Sequence, residues 1–173
     1  MKLNLAKRVI AVLSAVVMLA GCGPKENIIG PRTEDAWKKW EQEQAELKEK
    51  WGDTEVYAYI QTIMDDILNV NANVVFKEGF SLDAESEELD ALKKLYEDMG
   101  YDNEMTLEEF LAKLNDSSLR WSIGSPLDLD KIEEKENGEY AVTLLDYPNA
   151  DSLMNVYITV KTNEDGSFRT EFE

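Results

Sequence analysis

The spacing of apolar residues changes at Ser118, and this change constrains the fold more than any other feature of the chain. Before Ser118 apolar residues recur every three or four positions, which predicts helices; after it they recur every second position, which predicts strands. Helices followed by strands, rather than alternating with them, indicate an α+β fold with segregated elements. We therefore expect about four N-terminal helices packed against an antiparallel meander of about four strands.

Four helices can be placed from their start and stop residues. The first begins at the N-cap Thr33 and ends before Gly52, with three Trp on one stripe that we interpret as packing against the domain. The second runs from Asp53 or Thr54 to about Asn69. The third covers about 85–99, and the fourth follows a capping box, which pairs residues 106 and 109. A short strand is expected at 74–76 between the second and third helices.

The strand region contains two predicted hairpins, each with a three-residue loop that ends in Gly. The first loop, 136–138, would place Val142 opposite Ile132 and Leu145 opposite Leu129. The second loop, 164–166, would pair residue 162 with 168 and residue 158 with 172. An alternating segment at 119–123 predicts a further short strand.

The first 21 residues resemble a targeting segment rather than part of the fold. Lys2, Lys7 and Arg8 precede an apolar run from Val9 to Ala20. Twelve helical residues extend about 18 Å, which is too short for a bilayer core of about 30 Å. The run is therefore typical of a cleaved signal peptide.

The four residues Leu19-Ala20-Gly21-Cys22 follow directly and resemble the lipobox of bacterial lipoproteins. The resemblance implies cleavage between Gly21 and Cys22, and lipid attachment to the Cys22 thiol. The protein would then be anchored by covalent lipid in a cell membrane and face away from the cytoplasm, on the extracellular face or in the periplasm.

The predicted domain organisation follows from this cleavage. Residues 1–21 form the signal peptide, 22–32 the lipidated Cys and a Gly- and Pro-containing tether, and 33–173 a single acidic α+β domain. The first 21 residues hold three bases and no acids, so the mature charge is −21 compared with −18 for the whole chain.

Composition excludes several classes of function. The chain has no His and one Cys, so His-dependent catalysis, an internal disulfide and a zinc cluster are all excluded. Twice as many acids as bases argues against a nucleic-acid partner. No cofactor is expected, because no glycine-rich nucleotide loop occurs.

Helices followed by a curved antiparallel sheet are similar in element order to the NTF2-like and cystatin-like domains of small bacterial lipoproteins. The similarity covers about 54–173. It implies an apolar concavity between the sheet and the helices, which we expect Trp121, Tyr140 and Tyr157 to line.

We therefore expect a non-catalytic envelope lipoprotein that binds a small ligand or another envelope protein. One alternative is a carboxylate-based envelope hydrolase, which needs two acids in one cleft. The other is a calcium-dependent module, because 98–109 has the outline of a calcium loop, with Asp98, Asp102 and Glu109 as candidate ligands. Gly100 and Asn103 depart from that outline, and a helix end followed by a capping box explains the same residues.

Overall fold

The computed structural model describes residues 34–149 and 152–173, and within them the α+β arrangement with helices before strands is confirmed. The predicted signal peptide, Cys22, the predicted tether and the predicted cap at Thr33 lie outside the described residues. Five helices, α1–α5, a 3-10 helix and four strands, β1–β4, follow in order. Their bounds are α1 Glu34–Trp51, α2 Glu55–Asn69, α3 Ala72–Val75, α4 Glu87–Asp98, α5 Leu107–Asp116, the 3-10 helix Ser118–Ser122, β1 Leu127–Glu134, β2 Tyr140–Asn149, β3 Ser152–Thr162 and β4 Phe168–Phe172.

Side-chain caps set the starts of the longer helices. Thr54 caps α2 and Ser86 caps α4, each through a hydroxyl that accepts a backbone N–H from the first turn. The predicted capping box at α5 is confirmed. The Thr106 N–H donates to Glu109 Oε2 at 2.8 Å, and the Glu109 N–H donates to Thr106 Oγ1 at 3.2 Å.

Two predicted strands are wrong. Residues 72–75 form helix α3, because Asn71 caps a turn by accepting the Asn73 N–H at 3.1 Å. Residues 118–122 form the 3-10 helix, whose start is held where the Ser118 N–H donates to the Glu173 carbonyl at 3.1 Å. Alternation in so short a segment does not distinguish a strand from a 3-10 turn that buries one side.

The sheet has the strand order β1-β2-β3-β4, and both hairpins have the predicted three-residue loops. Gly138 and Gly166 end these loops with φ of 79° and 87°, a region that favours glycine. The pairs Ile132–Val142 and Ile158–Phe172 are confirmed.

The predicted pairing of Leu129 with Leu145 is wrong, because β1 contains a bulge at Asp130. Leu129 lies opposite Leu144, and the register shifts between Leu129 and Lys131. Leu129 and Ile132 are three residues apart, so a regular strand would place them on opposite faces. The extra residue allows both to be buried, at 4% and 5% exposure.

Helix α1 runs alongside β1 and in the same direction. Gln44 Nε2 donates to the Leu129 carbonyl at 2.8 Å, and the Trp51 ring meets the Tyr140 ring edge-on at 6.0 Å. Tyr140 pairs with Glu134 at the end of β1. We call the sheet end with the loops 136–138 and 164–166 the hairpin end, and the opposite end, where β1 begins at Leu127, the base.

The helices cover one face of the sheet. Core side chains from β2, β3 and β4 pack against α2, α4 and α5 with almost no exposure to solvent. These side chains are Val142, Leu144, Val156, Ile158, Val160 and Phe172. The apolar face of the sheet is therefore occupied by the protein's own helices.

Candidate functional site

A groove of about 700 Å³ lies beside the end of β4. It is bounded by the α4–α5 loop, α5, the start of the 3-10 helix and the β3–β4 face turned away from the helices. Its lining residues are Tyr101, Glu104, Met105, Lys113, Ser118, Tyr157, Thr159, Glu171, Phe172 and Glu173. They come from distant parts of the chain, so this site depends on the tertiary fold.

Tyr101 is placed at the groove by the end of α4. The helix stops at Gly100, whose φ of 80° turns the chain, and the Tyr101 N–H donates back to the Tyr96 carbonyl at 3.1 Å. The Tyr101 ring then packs on Phe110 and Phe172, with ring centroids 5.3 and 5.7 Å away. Burial, reinforced by the negative charge of Glu171, raises the pKa of Tyr101 to about 12. Tyr101 is therefore a neutral phenol at physiological pH.

Lys113 of α5 supplies a positive charge in the groove. Its Nζ donates to the Phe172 carbonyl at 3.1 Å and stands 4.6 Å from the Phe172 ring centroid. The same ammonium lies 6.0 Å from the Tyr101 ring centroid. These contacts hold the ammonium over an aromatic floor.

Two acids of the rim, Glu104 and Glu171, are paired with cations. Arg169 bridges Glu104 and Glu171, the latter at 2.5 Å, and Lys161 contacts Glu171 at 2.7 Å. The hydrogen bond from Lys161 holds the pKa of Glu171 below its ordinary value. An aromatic floor with a charged and paired rim suits an amphipathic ligand better than proton-transfer chemistry.

The structure places only one of the three predicted pocket residues in this groove. Tyr157 lines it and is 60% exposed, but it does so from the sheet face turned away from the helices, not from the expected concavity between the sheet and the helices. Tyr140 lies on the opposite, helix-covered face of the sheet and packs on Trp51. Trp121 is 67% exposed on the 3-10 helix and does not line the groove.

Sequence reasoning missed Tyr101, Lys113 and Phe172. In the sequence, Tyr101 is simply the residue after the helix stop at Gly100, and Lys113 is a charged residue in a helical segment. Phe172 is an apolar residue in a strand segment. The Gly100 stop does fix the position of Tyr101 in the chain. No spacing rule indicated that α5 would bring Lys113 to the end of β4.

The candidate calcium ligands have other partners. Asp98 binds Lys94 at 2.6 Å, and Glu109 accepts the Thr106 N–H in the capping box. That hydrogen bond holds the pKa of Glu109 below its ordinary value. Asp102 is exposed beside the Asn103 amide. Across 34–149 and 152–173, no group of three or more acids or Cys is placed to hold a metal ion.

Away from the groove, the buried Asp66 and its neighbour Asp98 share one cation. Lys94 Nζ lies 2.6 Å from Asp66 on α2 and 2.6 Å from Asp98 on its own helix. Asp66 is 3% exposed, and this burial raises its pKa above the ordinary value. Hydrogen bonds from Lys94 hold the pKa of Asp98 low in spite of burial. Neither acid lines the groove beside β4, and their shared contact with Lys94 joins α2 to α4.

Comparisons with known proteins gave no match: no family model, no curated protein and no solved structure is similar to this chain. None of the helices within the described ranges combines the length and the apolar character that a bilayer span requires.

Proposed function

We propose that this chain is a lipid-anchored envelope lipoprotein whose domain binds an amphipathic ligand, either a small molecule or a side chain of another envelope protein, in the groove beside β4. The observation that carries the anchor is the sequence Leu19-Ala20-Gly21-Cys22 in register behind a basic and then apolar segment. The proposed ligand binding rests on the open groove beside β4 and on the exposed Tyr157 ring that lines it.

The anchor accounts for the single Cys of the chain. One acyl chain holds a protein only marginally in a membrane, whereas two or more hold it firmly. Lipoprotein processing supplies the diacylglyceryl group on the Cys22 thiol and usually a further chain on its amino group. The first described helix begins at Glu34, twelve positions after Cys22.

Metabolic labelling with a radioactive fatty-acid precursor tests the anchor. The wild-type chain should be labelled and should fractionate with membranes, and Cys22→Ala should lose both properties. Cys22→Ala leaves the domain from Glu34 onward unchanged, so its urea midpoint serves as a folding control. An unlabelled wild type would refute the proposal.

The groove is tested by a photo-crosslinking residue at Tyr157 in the full chain, produced in its own cells. Tyr157 lines the groove and is exposed, whereas Thr62 is exposed on α2 and does not line it. We expect a discrete adduct from position 157 that is absent from the control at Thr62. Lys113→Met should weaken that adduct, because it removes the positive charge from the floor. Equal crosslinking from both positions would argue against a binding groove.

A further inference from the structure

The start of α1 projects beyond the base of the domain. Gln44 is level with Leu129, and the ten residues from Gln44 back to Glu34 extend about 15 Å at 1.5 Å per residue. From Leu129 to the first residue of β1, Leu127, is only about 7 Å at 3.3 Å per residue. The chain that leads from Cys22 therefore joins the domain at its base.

The same end of the domain carries the most exposed aromatic side chain that the structure describes. The 3-10 helix lies between the end of β4, where Ser118 binds Glu173, and the start of β1. Just after it, the Gly124 N–H donates to the Ile67 carbonyl at 2.8 Å, which joins this segment to the last turn of α2. Trp121 on this 3-10 helix is 67% exposed.

Trp121 belongs to a small mixed patch rather than standing alone. The Arg120 guanidinium carbon lies 5.2 Å from the Trp121 ring centroid and 5.2 Å from the Phe76 ring centroid. Leu68, beside Ile67 on the last turn of α2, is 45% exposed. We call the three residues joined by the Arg120 contacts the base patch: Phe76, Arg120 and Trp121.

We infer that the base patch contacts the headgroup region of the bilayer that holds the Cys22 lipid. Trp prefers the membrane–water interface, because its ring is apolar while its N–H stays hydrated, and Arg can donate to headgroup phosphates. The twelve steps from Cys22 to Glu34 reach at most about 40 Å, so the base stays near the membrane. The inference rests on the proposed lipid anchor.

The net charge of the chain indicates which attraction would hold the base patch to the bilayer. The mature chain carries −21, so anionic lipid repels the domain as a whole. The contact therefore depends on the Trp ring and on short-range donation from Arg120, and zwitterionic phosphatidylcholine suffices for it.

The test uses the full lipidated protein in phosphatidylcholine vesicles whose acyl chains are brominated near the headgroup, since bromine quenches Trp fluorescence on contact. We expect Trp121→Phe to lower the quenched fraction, because the change removes the exposed indole of the base patch. Trp51→Phe is the matched control: Trp51 is 8% exposed and lies at the hairpin end, so its loss should not lower the quenched fraction.

Flotation of the vesicles separates the two ideas. If wild-type protein floats with the vesicles but Trp121→Phe leaves quenching unchanged, the membrane contact is overturned and the anchor stands. If soluble acrylamide quenches Trp121 equally with and without vesicles, the patch faces water and the contact is again overturned. A wild type that carries no lipid and does not float overturns both.

Discussion

Asp66 and Lys94 form an ion pair of 2.6 Å between α2 and α4. Asp66 is buried on α2, and one of its oxygens, Oδ2, has no hydrogen-bond partner. The ammonium of Lys94 compensates the buried charge and is itself 58% exposed. A buried acid of this kind costs free energy unless its partner stays in place. The pair therefore makes the packing of α2 on α4 sensitive to single substitutions.

Lys94→Met should lower the free energy of unfolding at neutral pH by about 1–3 kcal/mol, less than for a fully buried pair because water already screens Lys94. Urea unfolding of the mature chain measures this. Lys93→Met, at the exposed neighbouring position, should change stability by no more than about 0.5 kcal/mol. Adding Asp66→Asn to Lys94→Met should recover part of the loss, and no recovery would contradict this account.

The pH dependence of stability has a definite sign at Asp66. Its pKa is raised in the folded state from the ordinary 3.8, so the folded state holds the proton more tightly than the unfolded state. Its contribution is therefore most favourable below the ordinary pKa and is lost as the pH rises through the raised value. Asp98, with a lowered pKa, contributes stability at higher pH that is lost on acidification.

Asp66→Asn isolates the first of these effects. The stability of the wild type relative to Asp66→Asn should fall as the pH rises from about 4 to about 7, because only the wild type must ionise a buried carboxyl. Urea midpoints at several pH values give this difference. A difference that stays constant, or rises with pH, would show that Lys94 fully offsets the burial of Asp66.

Among the secondary-structure elements, β1 depends on its bulge to turn its apolar side chains toward the core. Leu127 and Leu129 face the core only because Asp130 is skipped in the ladder with β2. With Asp130 skipped, the residues on either side already pair as in a regular strand. The bulge therefore turns the apolar residues on both sides of Asp130 toward the same face of the sheet, and the strand pairs around it stay regular.

Deleting Asp130 should cost no more than about 1 kcal/mol, since the pairs Leu129–Leu144 and Ile132–Val142 remain in register. Deleting Asp128 should lower the free energy of unfolding by about 1.5–3 kcal/mol more than deleting Asp130 does. Without Asp128, β1 can pair with β2 either with the bulge kept or with the bulge lost. The first register turns Leu127 away from the core, and the second turns Leu129 away from it. Thermal unfolding of the two variants makes the comparison. Equal losses of stability in the two deletion variants would mean that the bulge does not determine which β1 side chains face the core.

The elements that sequence predicted well follow local rules. The capping box and both three-residue hairpin loops depend on residues within a few positions of one another. The bulge was missed because Leu129 opposite Leu145 also matches apolar with apolar, and only the helices beneath the sheet decide between the two registers. The groove was missed for a similar reason. Tyr157 was expected to line a concavity between the sheet and the helices, but it lines the groove from the opposite face of the sheet, and the other lining residues meet only in the folded chain.

For the molecule as a whole, the large negative net charge destabilises the compact folded state. Residues 22–173 carry a net charge of −21, because 36 acids are balanced by only 15 bases. Repulsion among exposed charges raises the free energy of the folded state and is screened within about 10 Å at 0.1 M salt. Added salt should therefore stabilise this domain, whereas it would destabilise a domain held by surface ion pairs.

The melting temperature of the mature chain should rise by a few degrees between about 0.01 and about 0.3 M sodium chloride. Glu136→Lys with Glu164→Lys, both in exposed hairpin loops, reduces the net charge by four and should make this dependence shallower. Differential scanning calorimetry measures both slopes. A melting temperature that falls with salt would show that ion pairs such as Lys161–Glu171 outweigh the repulsion.

Both margins of the sheet are occupied by other parts of the chain. Gln44 donates to the outer side of β1 at Leu129, and on the outer side of β4 the Thr170 N–H donates to the Met99 carbonyl at 3.1 Å. Exposed strand edges are templates for pairing with another chain. Lipid anchoring would confine many copies to two dimensions, where encounters between molecules are frequent. Closed margins would then protect the crowded protein from aggregation, and loss of α1 would reopen one of them.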